Sequence, residues 1–306
     1  MLFDALRRFQ KATYARADRL ARGRYWWLRV ALVGGLLSCL VTAPSFQYGP
    51  ENVLAALRLQ IEAPLARRDY SPQTHEAKRA LRLTMPTLAH VLRLRLGHLF
   101  AIQFAGGFLL LGVAALLTEK LCRDRVAAVL MVVALAFAPP GTACFTDEVG
   151  YFDGVAYLLL LLAMWSRAVP LVGLCALLAA FTDERAAVAT GFVFLWWLRH
   201  FLFGEGRPAR HDLFRAAAAV VAVVAWGAMR LWLAERYGLR TPVAGGGYVV
   251  GFDMWLRYYQ FVPLGLLSGL EGLWAVLVAS AWVLVHRRRR LGGALFGGLV
   301  VVQSLV

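Results

Sequence analysis

Charge is scarce in this chain, and acidic charge especially so: 18 Asp and Glu stand against 33 Lys and Arg in 306 residues, and 17% of the residues are charged. Soluble domains carry about 25% charged residues, so a soluble fold is disfavoured. The four cysteines stand far apart, without the spacing of a zinc site or a disulfide framework. No P-loop is present, which argues against an ATP-driven pump.

Apolar residues are abundant instead, at 60% of the chain, and they cluster in runs. Runs near 20 residues match the hydrocarbon core of a bilayer, about 30 Å thick. The sequence therefore predicts an all-α, polytopic transmembrane helical bundle of about nine spans. The predicted spans are 25–43, 98–118, 126–140, 152–166, 168–181, 186–203, 213–235, 262–285 and 291–306.

The polar segments divide the chain into two parts. Residues 1–24 carry seven Lys and Arg and form a basic amphipathic segment, expected on the cytosolic side. Residues 25–306 form the transmembrane domain. Within it, the stretch 44–97 is a long first outer loop with two amphipathic helices, expected to lie in the interface plane because apolar residues recur at helical spacing between arginines. The predicted apolar stripe of the second helix consists of Leu81, Met85, Leu88, Leu92 and Leu96.

The positive charge is placed as a topology signal. Basic residues sit at the ends of apolar runs, whereas most acidic residues fall in the alternate loops. This pattern predicts a multi-pass protein of the cell (inner) membrane with a cytoplasmic N-terminus, and it places the acidic side outside. The net charge of +15 is not arranged with aromatic residues in a nucleic-acid-binding stripe, so nucleic acid is not an expected partner. The oligomeric state is not indicated.

The tetrapeptide Phe-Thr-Asp-Glu occurs twice, at 145–148 and 181–184, and both copies fall on the predicted outer side. Carboxylates grouped there could act as a general base, as acceptors for sugar hydroxyls or as ligands of a divalent cation. The alternative is a solvated loop whose acids favour the starts of helices. The candidate catalytic residues on these segments are Asp147, Glu148, Asp153, Asp183 and Glu184.

The second copy follows an apolar run of only 14 residues, 168–181. A helix of that length rises about 21 Å, less than the hydrocarbon core of about 30 Å. Asp183, Glu184 and Arg185 are therefore expected below the outer surface, in a cavity rather than in lipid. The competing interpretation is that Thr182 or Asp183 caps the next helix and that Arg185 neutralises an acid.

Cations crowd the start of the second helix of the outer loop. A helix N-terminus favours anions, so a phosphate could dock among His75, Lys78, Arg79 and Arg82. The alternative is that these cations contact lipid headgroups.

The basic N-terminus, the first span, the long outer loop with interfacial helices and the acids of later outer loops together resemble the GT-C class of membrane glycosyltransferases. These enzymes take sugars from polyprenyl-phosphate donors. The resemblance implies an integral membrane enzyme that uses a lipid-linked sugar donor on the outer membrane face. It also implies a catalytic acid in the first outer loop, where Glu62 and Asp69 are candidates, although neither stands in the acidic pair typical of that class.

The implied mechanism assigns roles to the charged residues. A carboxylate, with Asp147, Glu148 and Asp69 as first candidates, would deprotonate the acceptor hydroxyl as it attacks the anomeric carbon. The cations of the outer loop would hold the donor phosphate, and Arg185 or Arg240 would stabilise the departing phosphate. No cofactor is indicated by the sequence other than a divalent cation that a carboxylate pair could hold, and whether the metal is needed is left open.

Two other functions fit the same sequence. A secondary transporter could use Asp183, Glu184, Arg185 and Glu271 as intramembrane coupling charges. A non-enzymatic membrane scaffold would use its charges only to set topology.

Overall fold

The computed structural model describes residues 2–42, 51–67, 79–147, 149–202 and 207–239. These residues form an all-α structure of 11 helices, with no strand among them. The helices are α1 (Leu2–Ala21), α2 (Trp26–Thr42), α3 (Glu51–Glu62), α4 (Thr84–Leu92), α5 (Leu96–Cys122), α6 (Arg125–Leu135), α7 (Pro139–Thr146), α8 (Asp153–Trp165), α9 (Val169–Thr182), α10 (Arg185–Leu202) and α11 (Arg210–Tyr237).

Seven of the nine predicted apolar runs correspond to α2, α5, α6 with α7, α8, α9, α10 and α11. The other two, 262–285 and 291–306, lie outside the described residues. Within the described ranges, α5 and α11 are long and apolar enough to cross a membrane, and α6 with α7 would form a third crossing if the bent pair is one span. The all-α class is confirmed for the described residues, and their apolar helices are compatible with a membrane location. The count of nine spans stays a prediction.

The centre of the bundle is α5, which packs against α2, α6, α7 and α8. Glycines allow these close approaches. A Cβ atom on Gly35 of α2 would lie within 3 Å of the ring of Phe108, and one on Gly107 would lie equally close to Phe145. The rings of Phe104, Phe108 and Phe145 contact one another edge to face, with centroids 5.2–5.5 Å apart. Such pairs stabilise a core beyond the area they bury.

Helices α6 and α7 meet at a bend of 56°. Pro139 and Pro140 begin α7 and have no N–H with which to continue the α6 hydrogen-bond ladder. Gly141 follows, and a Cβ atom there would lie 2.0 Å from the carbonyl oxygen of Leu135. The bend therefore requires a residue without a side chain at position 141.

Gly141→Ala is accordingly expected to destabilise the protein, by about 1–3 kcal/mol, because the added methyl group displaces the backbone of α6. Gly97→Ala in α5 is the matched control, since a Cβ atom there meets nothing within 4 Å and alanine favours a helix by about 0.5–1 kcal/mol. Thermal unfolding of the full chain in detergent would measure both variants. A Gly141→Ala protein that melts at or above the Gly97→Ala protein would contradict this account of the bend.

The segment before α5 packs over one end of the bundle through two small apolar clusters. Leu57 of α3 and Met85 of α4 contact Leu99 and Phe152 in the first cluster. The second cluster joins the segment 79–83 to α9 and α11, and its buried members are Leu81, Leu83, Phe181, Leu233 and Leu239. These contacts fix the positions of Arg82, which lies between Leu81 and Leu83 in the sequence, and of Arg79, which precedes them.

The second helix of this segment is shorter than the predicted stripe of Leu81, Met85, Leu88, Leu92 and Leu96. In the described residues it begins at Thr84, which leaves Pro86 in the first turn, where its missing N–H costs no hydrogen bond. It ends at Leu92, because Arg93 adopts a left-handed conformation with φ of 53°. Only part of the stripe is buried: Leu81 and Met85 face the interior, whereas Leu88 and Leu92 are exposed.

Candidate functional site

Both Phe-Thr-Asp-Glu segments lie at the same end of the bundle. The first begins in the last turn of α7, which ends at Thr146, and precedes α8, which begins at Asp153. The second joins α9, which ends at Thr182, to α10, which begins at Arg185. Helices α8, α9 and α10 pack against one another, so the two acidic loops are neighbours in space although they are more than 30 residues apart in sequence.

Arg82 links these two loops. Its Nη1 donates to Asp153 Oδ1 at 2.9 Å, its Nη2 donates to Asp183 Oδ1 at 3.0 Å, and its Nε donates to Glu184 Oε2 at 3.1 Å. Each nitrogen of one guanidinium group thus contacts a different carboxylate. The planar fork of arginine suits this arrangement, and a lysine ammonium could not reproduce it.

Arg185 binds two of the same carboxylates from the other side. Its Nη2 lies 2.6 Å from Asp153 Oδ2, and its Nε lies 3.0 Å from Asp183 Oδ2. Its backbone N–H also donates to Asp183 Oδ1 at 3.2 Å. Asp183 therefore caps α10 and is neutralised by Arg185, as the competing interpretation of the sequence expected. We call Arg82, Asp153, Asp183, Glu184 and Arg185 the arginine–carboxylate cluster.

The side chains of the cluster differ in their exposure to solvent. The side chain of Asp183 is 1% exposed and that of Arg82 is 10% exposed, whereas Asp153, Glu184 and Arg185 are 27%, 28% and 36% exposed. Burial by itself lowers the pKa of Arg82, but the carboxylates of Glu184, Asp183 and Asp153 outweigh it and raise that pKa above its ordinary value. Arg82 is therefore a permanent cation, and only the outer three side chains are open to a ligand.

Arg79, from the same segment as Arg82, holds the loop 149–152. Its Nη2 donates to the carbonyl oxygen of Val149 at 2.6 Å. The guanidinium carbons of Arg79 and Arg82 lie 4.8 and 4.9 Å from the ring centre of Tyr151, within cation–π range. Gln60 of α3 holds the backbone of this segment, because its amide donates to the carbonyl oxygen of Arg79 at 2.7 Å.

Asp147 has a different environment from the cluster. Its Oδ1 accepts the backbone N–H groups of Val149 and Gly150 at 3.1 and 2.9 Å, and its Oδ2 accepts that of Phe152. Burial raises the pKa of Asp147, and these backbone donors oppose the rise only in part. Both oxygens therefore hold the loop 149–152 in shape, which leaves Asp147 better suited to positioning Asp153 than to contacting a substrate.

Of the predicted site residues, Arg79, Arg82, Asp147, Asp153, Asp183, Glu184 and Arg185 are brought to this end of the bundle. Glu62 is exposed at the end of α3 and takes no part in the cluster. The remaining candidates, Asp69, His75, Lys78, Glu148, Arg240 and Glu271, lie outside the described residues.

Tyr151 and Gln60 were not among the predicted residues. Both are uncharged, and their role arises from packing against arginines that are distant in sequence. Asp153, two positions after Tyr151, was a predicted site residue and was the nearest indication in the sequence that this loop belongs to the site.

A small cavity lies beside Arg82. It has a volume of about 10 Å³ and is lined by Gln60, Arg79, Arg82, Gly150, Phe152 and Thr182, among others. A cavity of this size holds about one water molecule. In the described part of the chain, no three His, Cys, Asp or Glu side chains are grouped so as to hold a metal ion.

The chain matches no protein-family model, no curated protein and no solved structure.

Proposed function

We propose that the chain is a membrane glycosyltransferase-like enzyme that transfers a sugar from a polyprenyl-phosphate donor at the arginine–carboxylate cluster. In this proposal the protein crosses the inner membrane about nine times, its N-terminus is cytoplasmic and the cluster faces outward. The single observation that carries the proposal is that Arg82, from the loop before α5, holds three carboxylates of two later loops at one end of the bundle. Burying charged groups in a membrane protein is costly, and such groups usually mark functional sites.

The exposure of the cluster assigns the roles. Glu184 is the proposed general base: it is open to a ligand, and its contact with Arg82 is the longest of the three, at 3.1 Å. It takes the proton of the acceptor hydroxyl as the acceptor oxygen bonds to the anomeric carbon. Asp153 is a weaker candidate, because its two oxygens face Arg82 and Arg185 at 2.9 and 2.6 Å.

The departing group needs a cation. As the bond between the anomeric carbon and the phosphate oxygen breaks, charge develops on the polyprenyl phosphate. Arg185, 36% exposed, is the proposed residue that stabilises it. Asp183 and Arg82, both buried, position Arg185 and Glu184.

The test is transfer of label from lipid-linked sugars by the full chain in proteoliposomes. A panel of polyprenyl-phosphate sugars, each labelled in the sugar, would be offered with short glycans as acceptors. We expect label to leave at least one donor in the wild-type protein and to remain on the lipid in protein-free vesicles. If every donor keeps its label, the proposal fails. A parallel assay offers free labelled sugars to the same vesicles, and their accumulation inside would indicate a transporter.

One observation favours the transporter as a second candidate. Helices α6 and α7 form a broken pair with a bend of 56°, close to the acidic loop. Secondary transporters build their binding sites from discontinuous helices of this kind. In that case Asp183, Glu184 and Arg185 would couple ion movement to substrate movement, and label would be taken up but not transferred.

A further inference from the structure

The opposite end of the bundle carries a second group of charged and aromatic side chains, which the proposed function does not use. It lies where α5, α8 and α10 end and α11 begins. We call it the tryptophan–cation patch; it consists of Lys120, Trp165, Trp196, Trp197, Arg199 and Arg215.

Three tryptophan rings surround one lysine. The Nζ atom of Lys120 lies 5.9, 5.7 and 5.6 Å from the ring centres of Trp165, Trp196 and Trp197. These distances are within the range of cation–π attraction. Such cages of aromatic rings bind quaternary ammonium groups when they are empty. Here the protein's own lysine fills the cage, so the patch is not suited to a choline headgroup.

The patch has an excess of positive charge. Arg199 lies 4.4 Å from the ring centre of Trp196, and Arg215 lies 4.6 Å from that of Trp197. Because Lys120 contacts the same two rings, Arg199 and Arg215 each lie within about 10 Å of Lys120, roughly the Debye length at 0.1 M salt. Arg167 is next to them, since its carbonyl oxygen accepts a hydrogen bond from Arg215. Asp212 neutralises one charge, at 2.7 Å from Arg215.

The patch is also open to a ligand. Lys120 and Arg167 are exposed, and Trp165 is 39% exposed. A negatively charged ligand would offset the excess positive charge of these exposed cations.

We propose that the tryptophan–cation patch binds the phosphate headgroup of an anionic phospholipid. The patch lies at the end of α5, a helix long and apolar enough to cross a membrane, so its cations reach the depth of the headgroups. Tryptophan is enriched at that depth, and basic pockets between transmembrane helices bind anionic headgroups. The proposal is independent of sugar transfer, which takes place at the other end of the bundle.

The experiment is native mass spectrometry of the full chain, extracted from vesicles of equal parts phosphatidylglycerol and phosphatidylcholine. The wild-type protein is expected to retain phosphatidylglycerol in preference to phosphatidylcholine. Each cation near an anionic surface contributes about a fivefold increase in affinity, so Lys120→Gln with Arg199→Gln is expected to weaken retention about thirtyfold. The charge-matched control is Arg58→Gln with Arg93→Gln, which removes two exposed cations from the other end of the bundle; we expect it to retain lipid as the wild type does.

Three outcomes would overturn the proposal. One is equal retention of the two lipids by the wild-type protein, an observation that needs no variant and therefore stands even if the double variant does not fold. Another is a loss in the control as large as in the patch variant. The third is displacement of the lipid by millimolar inorganic phosphate, which would show that the patch takes free phosphate instead.

Discussion

Arg82→Met is expected to lower the free energy of unfolding by about 3–5 kcal/mol, the largest stability loss predicted for a single substitution in this protein. The variant removes the cation that contacts Asp153, Asp183 and Glu184. Asp183, with a side chain 1% exposed, would keep only Arg185 as a cationic partner among the contacts of the cluster. Breaking a buried pair costs far more than the pair contributes, because the remaining charge stays desolvated.

Chemical denaturation in detergent, followed by circular dichroism, would measure this loss. Arg58→Met is the control, because Arg58 is an exposed cation of α3 at the same end of the bundle, and it is expected to change stability by less than about 0.5 kcal/mol. Arg82→Lys should fall between the two, since one ammonium group cannot contact three carboxylates in this geometry.

A second substitution would show whether charge is the cause. Adding Asp183→Asn to Arg82→Met removes the most deeply buried anion, so we expect part of the lost stability to return. If Arg82→Met is no less stable than Arg58→Met, or if the double variant is the least stable of all, the cluster does not hold this end of the bundle together in the way described.

Glu184→Gln is expected to slow sugar transfer by about 10²–10⁴-fold, the range typical of the loss of a general base. The amide keeps the shape of the side chain and can still accept a hydrogen bond from Arg82, but it cannot take the proton of the acceptor. Because the side chain is 28% exposed, the protein should remain folded. Transfer rates would be measured in proteoliposomes together with the melting temperature of each variant.

Glu62→Gln is the matched control, since Glu62 is an exposed glutamate of α3 outside the cluster. We expect it to transfer sugar at the wild-type rate. Asp153→Asn should lose both activity and stability, because Asp153 contacts two arginines. If Glu184→Gln transfers sugar at the wild-type rate, Glu184 is not the general base. If Asp153→Asn also transfers at that rate, the cluster is not the site of sugar transfer.

The sequence predicted the helices better than the site. Apolar runs are local, so their positions agree with seven helical segments to within a few residues. The acids of the two Phe-Thr-Asp-Glu segments were also visible, because charge is rare next to such runs. The sequence did not predict which cation pairs with these acids. Arg82 is one of 33 basic residues, and its three ion pairs join positions about 70 to 100 apart.

Asp147 shows the same limit for a single residue. As a residue type it was a reasonable candidate for a base, but the structure uses its two oxygens to hold the backbone of 149–152. Whether an aspartate caps a loop or contacts a ligand depends on backbone conformation, here on Gly150 and Phe152 with positive φ of 77° and 60°. The sequence pattern does not determine these angles.

Helices α8 and α9 pack side by side and contain only 13 and 14 residues, so each rises about 20 Å. In the proposed topology both helices cross the bilayer, which would then have to become thinner to match them, at a cost of fractions of a kcal/mol per ångström. Headgroups would then dip toward Asp153 and Glu184, at the ends of these helices. Lipids with short acyl chains should accommodate this local thinning more readily than lipids with long chains. The acyl-chain length of the surrounding membrane would then affect how easily a polyprenyl-phosphate donor reaches the protein.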